Sequence, residues 1–135
     1  MANAFTTQAN IDFLNGVHAA GDTYKLALYT TNAGLDETLT AYSPTNESSG
    51  SGYSAGGVTL VNRQSGISGT TAYITFDDAV LSGATLTTAA GVIYNSSKSN
   101  KAIAVLDFGG TNTVTNGTLT IKFPAAGTTA VIRIV

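Results

Sequence analysis

The sequence has no cysteine, one histidine, two prolines and only 10% charged residues in 135. The absence of cysteine excludes disulfide scaffolds, thiolate zinc sites and cysteine nucleophiles together. The single histidine, His18, excludes histidine-cluster metal sites and leaves one conceivable Ser/His pair. Charge stands well below the roughly 25% of ordinary proteins. The net charge of −2 and pI of about 5.0 argue against a nucleic-acid or anionic-membrane surface built on basic residues. No run approaches the ~20 apolar residues that span a bilayer. The first residues, Met-Ala-Asn-Ala-Phe-Thr-Thr-Gln, lack the basic and apolar stretches of a secretory signal, so synthesis in a cytoplasm is expected. Asn-x-Ser/Thr matches at Asn46, Asn95 and Asn116 are what chance gives in a chain rich in Ser and Thr.

What is present is a series of short β patterns punctuated by Gly, Asn and Ser. Residues 24–30 alternate, with Tyr24, Leu26 and Leu28 on one face and Lys25, Ala27 and Tyr29 on the other. Residues 71–76 and 90–94 read as further strands. Residues 101–108 alternate large Ile103 and Val105 with small Ala102 and Ala104, which suits a central strand. Residues 113–123 contain Asn116-Gly117, the pair that accepts φ > 0 at both centres of a type I′ hairpin turn. Residues 129–135 end the chain as a strand apolar on both faces, which has to be covered on both sides by the fold or by another chain.

One helix is predicted over residues 7–17. Ile11 and Leu14 form its apolar face, continued toward Val17 and His18. Thr7 or Asn10 would act as N-cap, and Gly16 lies near the stop. Residues 31–57 read as one long loop holding Pro44, Asn46 and the run Ser48-Ser49-Gly50-Ser51-Gly52. Its Tyr42 and Tyr53 imply that it lies against something. The division is thus an N-terminal arm and helix over 1–22, then a β domain over 23–135. Seven or eight strands at this spacing predict an all-β fold, a single jelly-roll-like β-sandwich with one short N-terminal helix.

No motif carries a reaction. Gly50-Ser51-Gly52-Tyr53-Ser54-Ala55 matches the dinucleotide pattern G-x-G-x-x-A. A loop precedes it and a β-like segment follows, where pyrophosphate binding needs a strand and then a helix. It reads as a flexible surface loop. Asp77-Asp78, with Asp107, would make a catalytic pair only across a cleft, at ~5–9.5 Å. Adjacent at the end of a strand, they read as a solvated turn. A calcium site lacks further oxygen ligands at regular spacing. His18 has no acid tied to it and no Gly-x-Ser-x-Gly elbow. The six tyrosines have no basic interleaving, so they read as packing residues and not as a nucleic-acid stacking platform. No catalytic, cofactor-binding or metal-binding residue is predicted, and no cofactor.

Several segments, in order along the chain, carry a resemblance. They are Tyr24-Lys25-Leu26-Ala27-Leu28-Tyr29-Thr30, then Thr45-Asn46-Glu47 with Gly50, Gly52-Tyr53 and Gly56-Gly57. Phe76-Asp77-Asp78, Val92-Ile93-Tyr94-Asn95-Ser96-Ser97, the run from Asn100 to Gly110, and Phe123-Pro124-Ala125 follow. Together they resemble small virion structural proteins of tailed bacteriophages, of the capsid decoration or cement type. The resemblance implies an all-β, jelly-roll-like domain on the capsid exterior, assembled as a homodimer or homotrimer and partnered by the major capsid protein. It transfers no catalytic residues and implies neither nucleic acid nor membrane as partner. The expected contact elements are the arm over 2–10, the loop over 31–57 and the C-terminal strand. Two other readings stand beside it. One is a tail or neck component or a host-surface carbohydrate-binding adhesin. The other is a carbohydrate-active β-sandwich enzyme, with Asp77, Asp78 or Asp107 in a cleft near aromatic residues.

Overall fold

Eight strands and one helix make up the computed structural model, which describes residues 4–123 and 132–134. In chain order they are β1 (Ala4–Phe5), α1 (Thr7–Leu14), β2 (Tyr24–Tyr29), β3 (Val58–Thr59), β4 (Gln64–Ser68), β5 (Thr71–Thr75), β6 (Ala79–Asn95), β7 (Lys101–Ile121) and β8 (Ile132–Ile134). Five strands form one sheet in the order β1-β7-β6-β2-β3, three form another in the order β4-β5-β8, and every pairing is antiparallel. The predicted mostly-β fold with one short N-terminal helix is therefore what the chain adopts.

The alternation in β2 works on both sides of the five-stranded sheet. Tyr24, Leu26 and Leu28 enter a core with Leu81, Leu86, Ile93, Ile103 and Ile132. Ala27 and Tyr29 enter a second core with Leu35, Ala90, Val92, Tyr94 and Val105. Leu35, with Leu39 and Tyr42 packed alongside, comes from the long loop, so that loop is the cover of the sheet's second face. Strands apolar on both faces need such a cover, because burial of apolar surface is what holds them.

The strands of the second half run longer than their patterns suggest. The predicted strand over 90–94 is the end of the 17-residue β6, and the predicted strands over 101–108 and 113–123 are one 21-residue strand, β7. The hairpin turn falls at residues 96–100, where Ser99 and Asn100 take φ of 54° and 57°. Asn116-Gly117 is not a turn. Asn116 alone has positive φ, 46°, and the strand continues through it as a bulge: Val114 faces Leu86 and Gly117 faces Ala84, leaving two residues opposite Thr85. Thr85 Oγ1 accepts from Asn116 N at 3.0 Å, which fixes the bulge across the ribbon. A second irregularity at Ile103 sends both Ile103 and Ala104 to the first core and breaks the predicted alternation.

The helix is where predicted but turned. Its N-cap is Thr6, not Thr7 or Asn10: the Thr6 hydroxyl accepts from Ala9 N at 3.1 Å and donates to Ala102 O at 3.1 Å. Asn15 caps the far end, Gly16 follows with φ of 70°, and Val17 and His18 lie beyond the helix. Ala9 and Asp12 are buried, whereas Ile11 is 47% and Leu14 82% exposed. Two turns of helix bury too little surface to choose their own face. The anchors from Thr6 to Ala102 and Ile103 set it instead.

Candidate functional site

The contacts of the loop over 31–57 centre on Glu47. Its carboxylate accepts from Tyr42 Oη at 2.7 Å, Tyr53 Oη at 2.6 Å and Gly56 N at 2.8 Å. Tyr53 Oη in turn accepts from Leu28 N at 2.9 Å, Tyr94 donates to Gly56 O, and the Tyr42 and Tyr94 rings stack at 4.8 Å. Burial, then the Glu47 carboxylate, pushes the Tyr42 phenol up to about 12 and raises that of Tyr53 as well, so both stay protonated donors. The expectation that Tyr42 and Tyr53 lie against something holds.

The glycine pattern inside this loop serves the same docking. Ser51 bridges to Thr85 on β6, and no helix follows Ala55. A Cβ on Gly50 would stand 1.9 Å from Thr85 O. Gly50 is thus small so that the loop can lie flat on β6.

A second polar cluster ties residues 12–22 to the β6–β7 turn. Lys98 Nζ reaches the Asp22 carboxylate at 2.8 and 2.9 Å, and Asn95 Nδ2 donates to Asp22 Oδ2 at 2.8 Å. The hydrogen bonds from Lys98 and Asn95 hold the Asp22 carboxyl down at about 2. Asn95 is fully buried, and its Oδ1 accepts from Ser97 N at 3.0 Å. That orientation makes Asn95 Nδ2 the donor to His18 Nδ1 at 3.0 Å, so the network assigns the proton of neutral His18 to Nε2. Burial lowers the His18 pKa, opposed in part by Asp12 and Asp22. His18 Nε2 and Asp12 Oδ2 stand 3.8 Å apart, both buried and without a hydrogen bond. No serine shares a hydrogen bond with His18 among the described residues, so the one conceivable Ser/His pair does not form.

His18 also borders a cavity of about 360 Å³ between α1 and the smaller sheet, lined by Phe13, Arg63, Ile67, Tyr73 and Ile132. Arg63 lies over the Tyr24 ring at 5.7 Å. The walls are mainly apolar; Ser65 lines the cavity with His18, and no hydrogen bond joins the two among the described residues.

The three aspartates considered for a cleft are not brought together. Asp77 and Asp78 precede β6 and are exposed, accepting from Asn62 Nδ2 and Phe123 N. Asp107 sits opposite Ala90, twelve residues beyond Asp78, or on the order of 40 Å at the rise of a strand. Its carboxylate accepts from Gly109 N and Asn32 Nδ2.

Each expected contact element is partly spent on the fold itself. Ala4 and Phe5 of the arm pair with β7, and Thr7–Leu14 is α1; residues 2 and 3 lie outside the described residues. Ile132 is buried in the first core and β8 pairs with β5, while residues 129–131 and 135 lie outside the described residues. The surface that sequence reading missed is the far half of β7. Residues 109–113, 115–116, 118 and 120 are exposed, and among the described residues the strand beyond Val105 pairs only with β6. Reading Asn116-Gly117 as a turn concealed it, because a turn there would have folded this stretch onto itself.

Comparison of the chain with protein-family models, with curated proteins and with solved structures gave no match.

Proposed function

We propose that this chain is a structural protein of a tailed-phage virion: a capsid decoration protein whose jelly-roll-like β-sandwich binds the outer shell, bridges major capsid subunits and self-associates. The observation that carries this reading is where the charge goes. Every acidic side chain except that of Glu37 accepts a hydrogen bond within the chain. Asp12, Asp22 and Glu47, with Lys98 and Lys101, are drawn into the two internal clusters. Glu37, Asp77, Asp78 and Lys122 stay exposed, but the exposed stretch of β7 carries no charge. A free domain keeps charge on its surface to stay dispersed, whereas the centre of an interface is depleted of it. The resemblance of the ordered segments to decoration proteins supports the capsid as partner, and repetition on a shell supplies avidity to individually small contacts.

The test is to mix the purified chain with expanded capsids of the parent phage that lack it, and to sediment them. Saturable binding at a fixed number of copies per shell, and higher resistance of the decorated shells to heat, are expected. Shells that stay bare overturn the reading, as does immunogold label confined to the tail of intact virions.

A further inference from the structure

The smaller sheet turns one apolar face toward the first core. Opposite residues of an antiparallel pair share a face. Ile67 stands opposite Ala72, Ser65 opposite Ile74 and Ile74 opposite Ile132, so these five lie together. At one end of the face Ile74 and Ile132 pack into the core. At the other end Ala72 is exposed and Ile67 is 79% exposed, so the face outruns the core that should cover it. Together with Phe13, His18 and Arg63 it walls the cavity of about 360 Å³, and every one of those walls belongs to the described residues.

Arg63 brings the one charge to these walls, and that charge is unmatched. No carboxylate lies within ion-pair distance of it among the described residues, whereas Lys98 has Asp22 and Lys101 has Asp12. The Arg63 Nε is shut off from solvent without an acceptor. The guanidinium rests on Tyr24, 5.7 Å from the ring centre and close to the hydroxyl. A cation partly withdrawn from water gains from an anion beside it, and the guanidinium fork meets a carboxylate at two points. His18 does not compete for that anion, because it is neutral and the Asp12 carboxylate stands 3.8 Å from its Nε2. Size follows from volume. A cavity of about 150 Å³ takes a benzene ring, and on that scale 360 Å³ takes roughly a dozen carbon atoms.

We propose that this cavity binds a small apolar carboxylate, with a hydrocarbon body of roughly a dozen carbons between Phe13 and the face of Ile67 and Ala72, and with its carboxylate on Arg63. This goes beyond the capsid reading and does not rest on it.

The test is calorimetric titration of the purified full chain with naphthylacetate, with naphthylethanol, which has the same carbon body and no charge, and with decanoate as a flexible acid. Naphthylacetate should bind one to a chain and about tenfold more tightly than naphthylethanol, which is what one charge-assisted hydrogen bond gives. Arg63→Gln should weaken the acid about tenfold and the alcohol less than about twofold. Ala72→Trp fills the cavity from an exposed strand position and should abolish both. Urea unfolding as cooperative as the parent's shows that neither variant acts by losing the fold. In the wild-type chain, amide exchange at 65–67 and 72–74 should slow when naphthylacetate is added, which places the site without any substitution. Failure of both acids to bind at millimolar concentration overturns the proposal, and so does binding that leaves those amides unprotected or that Ala72→Trp leaves intact. An acid bound no better than the alcohol, or indifferent to Arg63→Gln, overturns it as well.

Discussion

Glu47→Ala removes the one group on which the long loop closes. Three donors converge on that carboxylate, from Tyr42, Tyr53 and Gly56, at 2.7, 2.6 and 2.8 Å. A hydrogen bond to a charged partner contributes about 1.5–3 kcal/mol. The site is half-buried, water can replace part of each bond, and the lower figure applies, giving a loss of about 4.5 kcal/mol in all. A chain of this length has a total stability of roughly 7–20 kcal/mol at ~0.05–0.15 kcal/mol per residue, so the variant should still fold. Its damage should be local first. Ser48 N donates to Leu28 O at 2.8 Å and Thr30 N to Asn46 O at 2.9 Å, and both bonds rest on a loop that has lost its anchor. Urea denaturation gives the loss of stability, and native-state amide exchange should show Ser48 and Thr30 opening well before the β2–β6 ladder. Tyr42→Phe removes one bond of the three and should cost about 1.5 kcal/mol. A Glu47→Ala variant within about 1 kcal/mol of the parent, with Ser48 and Thr30 as protected as before, refutes the assignment of Glu47 as the loop's anchor.

Gly57→Ala should lose about 3–5 kcal/mol or fail to accumulate, since a Cβ there meets Leu26 O at 2.1 Å on a backbone with φ of 94°; an unchanged urea midpoint would show that the loop can retreat. Leu14→Ser should change stability by less than about 0.5 kcal/mol, because Leu14 is 82% exposed, and a large loss in the same assay would mean that α1 packs on its apolar face after all. Acid should destabilise the fold in two windows. Burial holds His18 below its usual 6.5, so the unfolded chain takes up a proton first as the pH falls through that value, and stability declines from there toward the folded pKa. Asp22 is held at about 2 against 3.8, so its stabilisation is present above 3.8 and is lost on descent to about 2. Urea midpoints measured across both windows should fall on acidification, His18→Gln should flatten the upper one, and a midpoint that rises with acid would refute the neutral, Asn95-bonded form of His18.

What was legible in the sequence is what local chemistry decides. The period of two in Tyr24–Tyr29 specified both faces of β2, and the cluster of Pro, Asn, Ser and Gly after it specified a loop whose tyrosines dock. What was not legible depends on partners distant in sequence. The helix face was misread because a two-turn helix takes its orientation from Thr6 and Ala102, 96 residues apart. Asn116 was rightly marked as a residue with positive φ, but whether that φ makes a turn or a bulge depends on Thr85 across the ribbon. Asp12, Asp22, Asn95 and Lys98 carried no motif, since their cluster exists only once the β6–β7 hairpin turn meets the segment after α1.

The scarcity of charge acquires a structural meaning from these clusters. Most of the acidic groups act within or between irregular segments, at loops, turns and strand ends. Glu47 holds the long loop, Asp22 and Asp12 hold the segment around α1 to the β6–β7 turn, Asp77 meets Asn62, Asp78 meets Phe123 N and Asp107 meets Asn32. Strands need no such ties, because their ladders satisfy the backbone and the two cores bury their side chains. The charge is therefore concentrated on loops and strand ends and is absent from the exposed stretch of β7 over 109–120. A surface arranged in this way is a poor one for keeping copies apart in solution. It is a good one for hydrogen-bonded, shape-matched contact with a repeating neighbour, in which no charge has to be stripped of water.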